Sequence, residues 1–136
     1  MVKQKRPEPD KIIAYKGKKF TIEWYHDAKG KSQGLEYADE LDRADRKKLT
    51  LLLTAMGDVG YIRNEQKFRY EGDKIYAFKP KPHRFLSFFF TDGKIIITNA
   101  FTKKQDKLPE SEKERALKHK ADYEERVKAG SYYEKE

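Results

Sequence analysis

The stretch that most constrains the fold is 75–104, IYAFKPKPHRFLSFFFTDGKIIITNAFTKK. Three apolar runs, Ile75 to Phe78, Phe85 to Phe90 and Ile95 to Phe101, are separated by Pro80 and Pro82 and then by Asp92-Gly93. Runs of this length, rich in β-branched and aromatic residues and bounded by Pro and Gly, predict three consecutive antiparallel strands, a meander. Gly takes positive φ freely and Asp resists it less than most residues, so Asp92-Gly93 suits a tight hairpin that pairs the middle and last strands directly. The nearly continuous apolar character of those two strands requires cover on both faces or a central place in a sheet. Basic residues gather at the strand ends: Lys79, Lys81, His83, Arg84, Lys103 and Lys104. A rigid sheet with a cationic rim is a platform for phosphate.

At 136 residues the chain is long enough for one domain with a real core. The expected division is a tail over 1–11, one domain over 12–130 and a short C-terminal tail over 131–136. The first segment is charged and carries Pro7 and Pro9, which reads as a mobile tail or as a basic arm that touches nucleic acid. Lys and Arg number 31 against 23 Asp and Glu, a net charge of +8, which favours a polyanionic or acidic partner without choosing among RNA, DNA and protein. The absence of Cys excludes disulfides and thiolate metal sites and fits a reducing compartment. No apolar run approaches the roughly 20 residues of a membrane span. The first residues, MVKQKRPEPDK, lack the apolar segment of a signal peptide, so a soluble cytoplasmic protein is expected, with no membrane partner.

Upstream of the meander, Phe20 to Tyr25 alternates, predicting a strand with Phe20, Ile22 and Trp24 inward and Glu23 and Tyr25 outward. After a turn-rich loop at 28–34, apolar residues at helical spacing predict one helix over 35–41 and a second over 44–56, broken near Asp42 and ended by Gly57 and Gly60. Glu36, Asp39, Glu40 and Asp42 lack a paired His and read as a solvated helix face, so no metal and no cofactor are assigned. A short strand over 67–71 and a turn at Gly72-Asp73 lead into the meander. Ser111 and Glu114 have capping-box spacing, predicting a last helix over 112–129 that packs on the sheet or serves a partner through the thin stripe Ala116, Leu117, Tyr123 and Val127. The predicted class is α+β, in the order β-α-α-β-β-β-β-α.

Several fragments in this order resemble the RelE/HigB-like (RelE/ParE superfamily) toxins of type II toxin–antitoxin systems. They are Gly30-Lys31-Ser32, Ile75-Tyr76-Ala77-Phe78-Lys79, Arg84 at the start of a strand, Ala100-Phe101-Thr102-Lys103-Lys104, and Lys107-Leu108-Pro109 before the last helix. The resemblance covers about residues 20–126 and implies an antiparallel sheet with two N-terminal helices and a C-terminal helix. It also implies an mRNA endonuclease (mRNA interferase) acting on translating ribosomes and held inactive by a cognate antitoxin, in the HigB branch of helix-turn-helix type. By motif, Arg84 matches the Arg that opens the middle strand, and Lys103 with Lys104 matches the basic pair after the last. There are two departures: many relatives have Glu-Leu-Arg where Ala77-Phe78-Lys79 stands, and many have His in place of Asn99. Those departures keep open a gyrase-poisoning, ParE-like toxin, or an inactive relative that acts through antitoxin and DNA binding.

Metal-free RNA cleavage needs a proton acceptor for the 2′-OH, cations for the crowded phosphate and a donor for the leaving 5′-oxygen. Arg84 is the electrostatic candidate, since its planar fork grips two phosphate oxygens, and its guanidinium is expected to be partly exposed. Lys79, Lys81, Lys103 and Lys104 add phosphate-binding charge, with Lys103 and Lys104 also taken as catalytic by the motif. His83, with an ordinary pKa near 6.5, is a candidate base, or simply part of an exposed turn after Pro82. His26 and His119 have no supporting pattern. Tyr76 and Phe78 share one face by alternation and read as core, with base stacking as the other use.

Overall fold

A computed structural model describes residues 6–105 and 107–133. A single helical turn, α1 (Pro9–Ile12), precedes an edge hairpin of β1 (Ile13–Lys16) and β2 (Thr21–Trp24). Two helices follow, α2 (Gln33–Asp39) and α3 (Arg43–Val59), then β3 (Phe68–Tyr70), β4 (Tyr76–Phe78), β5 (His83–Phe90), β6 (Lys94–Thr102) and α4 (Glu110–Lys128). The class is α+β as expected, with α1 and β1 added at the start. The tail assigned to 1–11 lies outside the described residues over 1–5, and its last three residues, 9–11, begin the helical turn Pro9–Ile12, whose buried residue, Ile12, belongs to the domain assigned to 12–130.

Local chemistry sets the helix boundaries. The Ser32 hydroxyl accepts from the Leu35 amide at 3.3 Å and opens α2, while Asp42 Oδ1 accepts from the Asp45 amide at 2.8 Å and opens α3. Gly60, at φ 95°, closes α3 in the left-handed conformation that suits a residue without Cβ, whereas Gly57 lies inside the helix. The expected capping box does not form: α4 starts at Glu110 behind Pro109, with no side-chain cap, so Ser111 sits inside the first turn.

The six strands form one sheet in the order β1-β2-β6-β5-β4-β3. From β3 to β6 it is an antiparallel meander, and Asp92 and Gly93 both take positive φ, 63° and 69°, at the β5–β6 turn. The pair β2–β6 is parallel, which departs from a wholly antiparallel sheet. The long passage through α2 and α3 supplies the connection that this mixed order requires.

The central strands β5 and β6 are covered on both faces. One face packs Ile22, Trp24, Phe78, Phe85, Ile95 and Ile97 against Leu49, Leu52, Leu53 and Met56 of α3 and Ala38 of α2. The other packs Ile75, Leu86, Phe88 and Ile96 against Ala116 and Tyr123 of α4 and against Tyr132. The second layer corrects the outward placement of Glu23 and Tyr25: both do point to that face, and both are buried because α4 and the segment after it cover it. The Tyr133 hydroxyl donates to Glu23 Oε1 at 2.7 Å, and Tyr25 donates to Asp122 Oδ2 at 2.6 Å. The tail assigned to 131–136 therefore contributes Tyr132 and Tyr133 to the core, while 134–136 lie outside the described residues. Among the described residues no helix is long and apolar enough to cross a membrane.

Candidate functional site

Neighbouring residues of a strand point to opposite faces. On β5, Phe85 packs on the α3 side and Leu86 on the α4 side, so Arg84 shares the α4 side with Leu86. Ala77 of β4 and Phe101 of β6 lie on that same side. Because α4 begins only at Glu110, this end of the sheet opens into a cleft of about 450 Å³. Ala77, Arg84 and Phe101 are its buried lining. Lys79 and Lys81 follow β4; Lys103, Gln105, Lys107, Leu108 and Pro109 come from the loop after β6; Glu65, Gln66, Arg69 and Glu71 come from β3 and its flanks. Among the described residues, six cations thus face two carboxylates.

Arg84 is only 7% exposed, which corrects the expectation of a partly exposed guanidinium. The strand period turns it to the α4 side, where it lines one cleft with the loop after β6 and with residues of β3 and its flanks. Its Nη1 donates to the His83 carbonyl at 3.0 Å. Burial lowers its pKa and Glu71 acts in the opposite direction, yet an Arg side chain stays charged in such a setting. Lys79 is held below the usual lysine range, first by desolvation and then by the charges of Arg84 and Arg69, with Lys103 adding to them. Its Nζ donates to the Glu65 carbonyl at 2.9 Å, and Lys81 Nζ donates to Gln66 Oε1 at 2.6 Å. Lys103 lines the cleft, its backbone amide fixed to the Pro82 carbonyl at 2.8 Å. Lys104 is exposed and outside the cleft lining.

His83 goes to the other face. Its Nε2 lies 2.8 Å from Asp45 Oδ2 and its Nδ1 2.6 Å from the Tyr37 hydroxyl, which is also 2.6 Å from Thr102 Oγ1. Both ring nitrogens are engaged between α2 and α3, and the hydrogen bond from His83 holds the Asp45 carboxyl below its ordinary range. The idea that adjacent His83 and Arg84 act on one phosphate meets the strand period, which separates them. Asn99 is fully buried: its Nδ2 donates to Glu112 Oε1 at 3.1 Å and its Oδ1 accepts from Thr98 at 2.7 Å, so it ties β6 to α4. Phe78 is core, while Tyr76 is half-buried, stacked against Phe68 with ring centroids 5.5 Å apart.

Sequence reading missed Arg69, Lys107, Glu65 and Glu71. Arg69 lies between Phe68 and Tyr70, and only the pairing of Arg69 with Ala77 across β3–β4 places it on the cleft side. The arrangement can hold a phosphate with a buried bidentate donor and several ammonium groups, next to carboxylates that accept protons or hydrogen bonds. Among the described residues no group of three or more His, Asp or Glu is placed to hold a metal ion.

Residues 36–121 match the family described as Phage derived protein Gp49-like (DUF891), a stretch that runs from α2 into α4 and contains every residue lining the cleft. No curated protein matches the chain. The family match spans more than half of the 136 residues, and with the α+β sheet and its cationic cleft it leads to one conclusion: the chain belongs to the Gp49-like family, a RelE-like toxin family of toxin–antitoxin systems.

Proposed function

We propose that this toxin is a metal-independent mRNA endonuclease of the RelE/HigB kind, acting on translating ribosomes and neutralised by a cognate antitoxin of helix-turn-helix type. The observation that carries this reading is buried Arg84 in a cleft where, among the described residues, six cations face two carboxylates. In the proposed reaction the ribose 2′-OH attacks the adjacent phosphorus, the O2′–P bond forms and the P–O5′ bond breaks. The products are a 2′,3′-cyclic phosphate and a 5′-OH. Arg84 grips two non-bridging oxygens as their charge grows. Lys79, whose lowered pKa raises its neutral fraction at pH 7, takes the 2′-OH proton, and a charged neighbour, Lys81 or Lys103, returns a proton to O5′. Lys104 adds long-range attraction from outside the cleft, and His83 has a positioning role between β5 and α3.

Induced expression in a bacterium, with growth followed and mRNA 5′ ends mapped, tests the proposal. Growth arrest with new cleavage sites within translated frames is the expected result. The second reading, a gyrase-poisoning toxin or an inactive relative, is favoured by the buried place of Asn99 and by the absence of any His from the cleft lining. Arrest with DNA damage and intact mRNA selects the gyrase poison, and unimpaired growth selects the inactive relative.

A further inference from the structure

We propose that a groove beside α3, next to the cleft, is the docking surface for an acidic segment of the antitoxin, which neutralises the toxin by engaging Lys79 and Lys81 from outside the cleft. The inference rests on the endonuclease reading above. The groove has a volume of about 490 Å³ and lies between α3, the segment before β3 and the segment after β4. Leu51 and Leu52 of α3 and buried Pro80 supply its apolar surface. Leu51 is 60% exposed, the highest value among the large apolar side chains of the described residues.

Helical spacing puts Lys48, Leu51 and Leu52 on one side of α3, where Leu52 packs into the core and Leu51 stays at the surface. Lys48, Lys67, Lys79 and Lys81 surround this apolar patch, and among the described residues no carboxylate lines the groove. Asp45, 3.5 Å from Lys48, offsets part of the charge from outside it. An apolar patch among ammonium groups fits a segment that carries one large aliphatic side chain flanked by carboxylates. Nucleic acid fits it less well, because among the described residues no aromatic side chain lines the groove to stack on a base. The groove shares Gln66, Lys79 and Lys81 with the cleft at Arg84. Carboxylates that pair with Lys79 from this side favour its charged form, so it loses the neutral fraction with which it takes the 2′-OH proton in the proposed reaction. The antitoxin segment thereby silences cleavage without covering Arg84.

The test measures, by fluorescence anisotropy at physiological salt, the binding of a labelled decapeptide of Glu and Asp with one central Leu, beside the same peptide with Ser in that place. The parent protein should bind the Leu peptide about fivefold or more tighter than the Ser peptide, the contribution of one anchor residue. Leu51→Gln, an exposed change that leaves the fold intact, should bring the two peptides to equal affinity, and Lys67→Glu should weaken both. Arg84→Ala should leave both within about twofold of the parent values. Saturating Leu peptide should slow RNA cleavage by the parent about tenfold or more. Equal affinity of the parent for the two peptides, or an unchanged Leu-peptide affinity in a folded Leu51→Gln, overturns the docking surface. A loss in Arg84→Ala as large as that in Leu51→Gln places the occupant in the cleft and overturns it as well. So does a loss of affinity for a 2′-O-methyl hexanucleotide in Leu51→Gln, which assigns the groove to RNA. Full-rate cleavage with the peptide bound through Leu51 overturns the neutralising role. If the parent cuts no RNA in the absence of peptide, the endonuclease reading falls, and the binding results still decide the groove.

Discussion

Arg84 and His83 stand side by side in the chain and on opposite faces of β5, and of the two only Arg84 lines the cationic cleft. His83 is held between Asp45 and Tyr37 on the helix side. His83→Asn should therefore leave RNA cleavage within about fivefold of the parent rate, since the side chain lies outside the cleft, where surface-like effects are small. Its effect belongs to stability at acid pH. The Asp45 carboxyl is depressed by His83 when folded, so its contribution is present above the ordinary carboxylate value of about 3.9 and is lost as pH falls through the lower folded value. Thermal melting between pH 5 and 2.5 should accordingly show a shallower loss in His83→Asn than in the parent. A steep fall in cleavage by a folded His83→Asn at neutral pH would return His83 to the chemistry. Sequence identified both residues as chemistry-bearing. It did not separate them, because the period of two acts on the site only when the covering layers are known.

At the scale of elements, the meander was legible because its three apolar runs and the Asp92-Gly93 turn agree with one another, and local and global preferences coincide. The closing layer was harder to read. The apolar stripe of α4 is thin, and its burial depends on aromatics that lie beyond the helix: Tyr132 is fully buried, and its hydroxyl accepts from the His26 amide at 3.0 Å. Tyr132→Ala should cost about 3 kcal/mol or more in urea unfolding, as deletion of a large buried aromatic does. A loss below about 1 kcal/mol would show that the segment after α4 is dispensable. The same layer makes the protein acid-sensitive in a second window. Burial lowers the pKa values of His26 and His119, so the folded state resists their protonation. Stability should be complete above the ordinary histidine value of about 6.5 and decline as pH falls below it. Comparing urea midpoints at pH 7.5 and 5.5 checks this, and His119→Gln should reduce the decline.

At the scale of the whole molecule, a net charge of +8 acts at long range while the six cations of the cleft act at contact. The surplus was plain in the sequence, and so was the gathering of Lys79, Lys81, Arg84 and Lys103 at strand ends; that Arg69 and Lys107 join them in one cleft was not, because only the sheet order brings those stretches together. RNA affinity should fall with salt by roughly 0.7 logarithmic units per tenfold change for each phosphate engaged. Association with an acidic antitoxin segment should slow likewise, since the reach of charge shrinks to about 8 Å at physiological ionic strength. Filter binding of a single-stranded RNA between 50 and 200 mM salt measures the first effect, and a flat response would remove charge from the account. The central claim concerns the floor of the cleft, and the most direct measurement is the single-turnover cleavage of ribosome-bound mRNA by Arg84→Ala and Arg84→Lys beside the parent protein, each with its thermal melt. The account predicts a loss of about 10²-fold or more for Arg84→Ala with a cooperative melt retained, and partial recovery in Arg84→Lys, which restores the charge without the two-point grip. A folded Arg84→Ala that cleaves at the parent rate would contradict it.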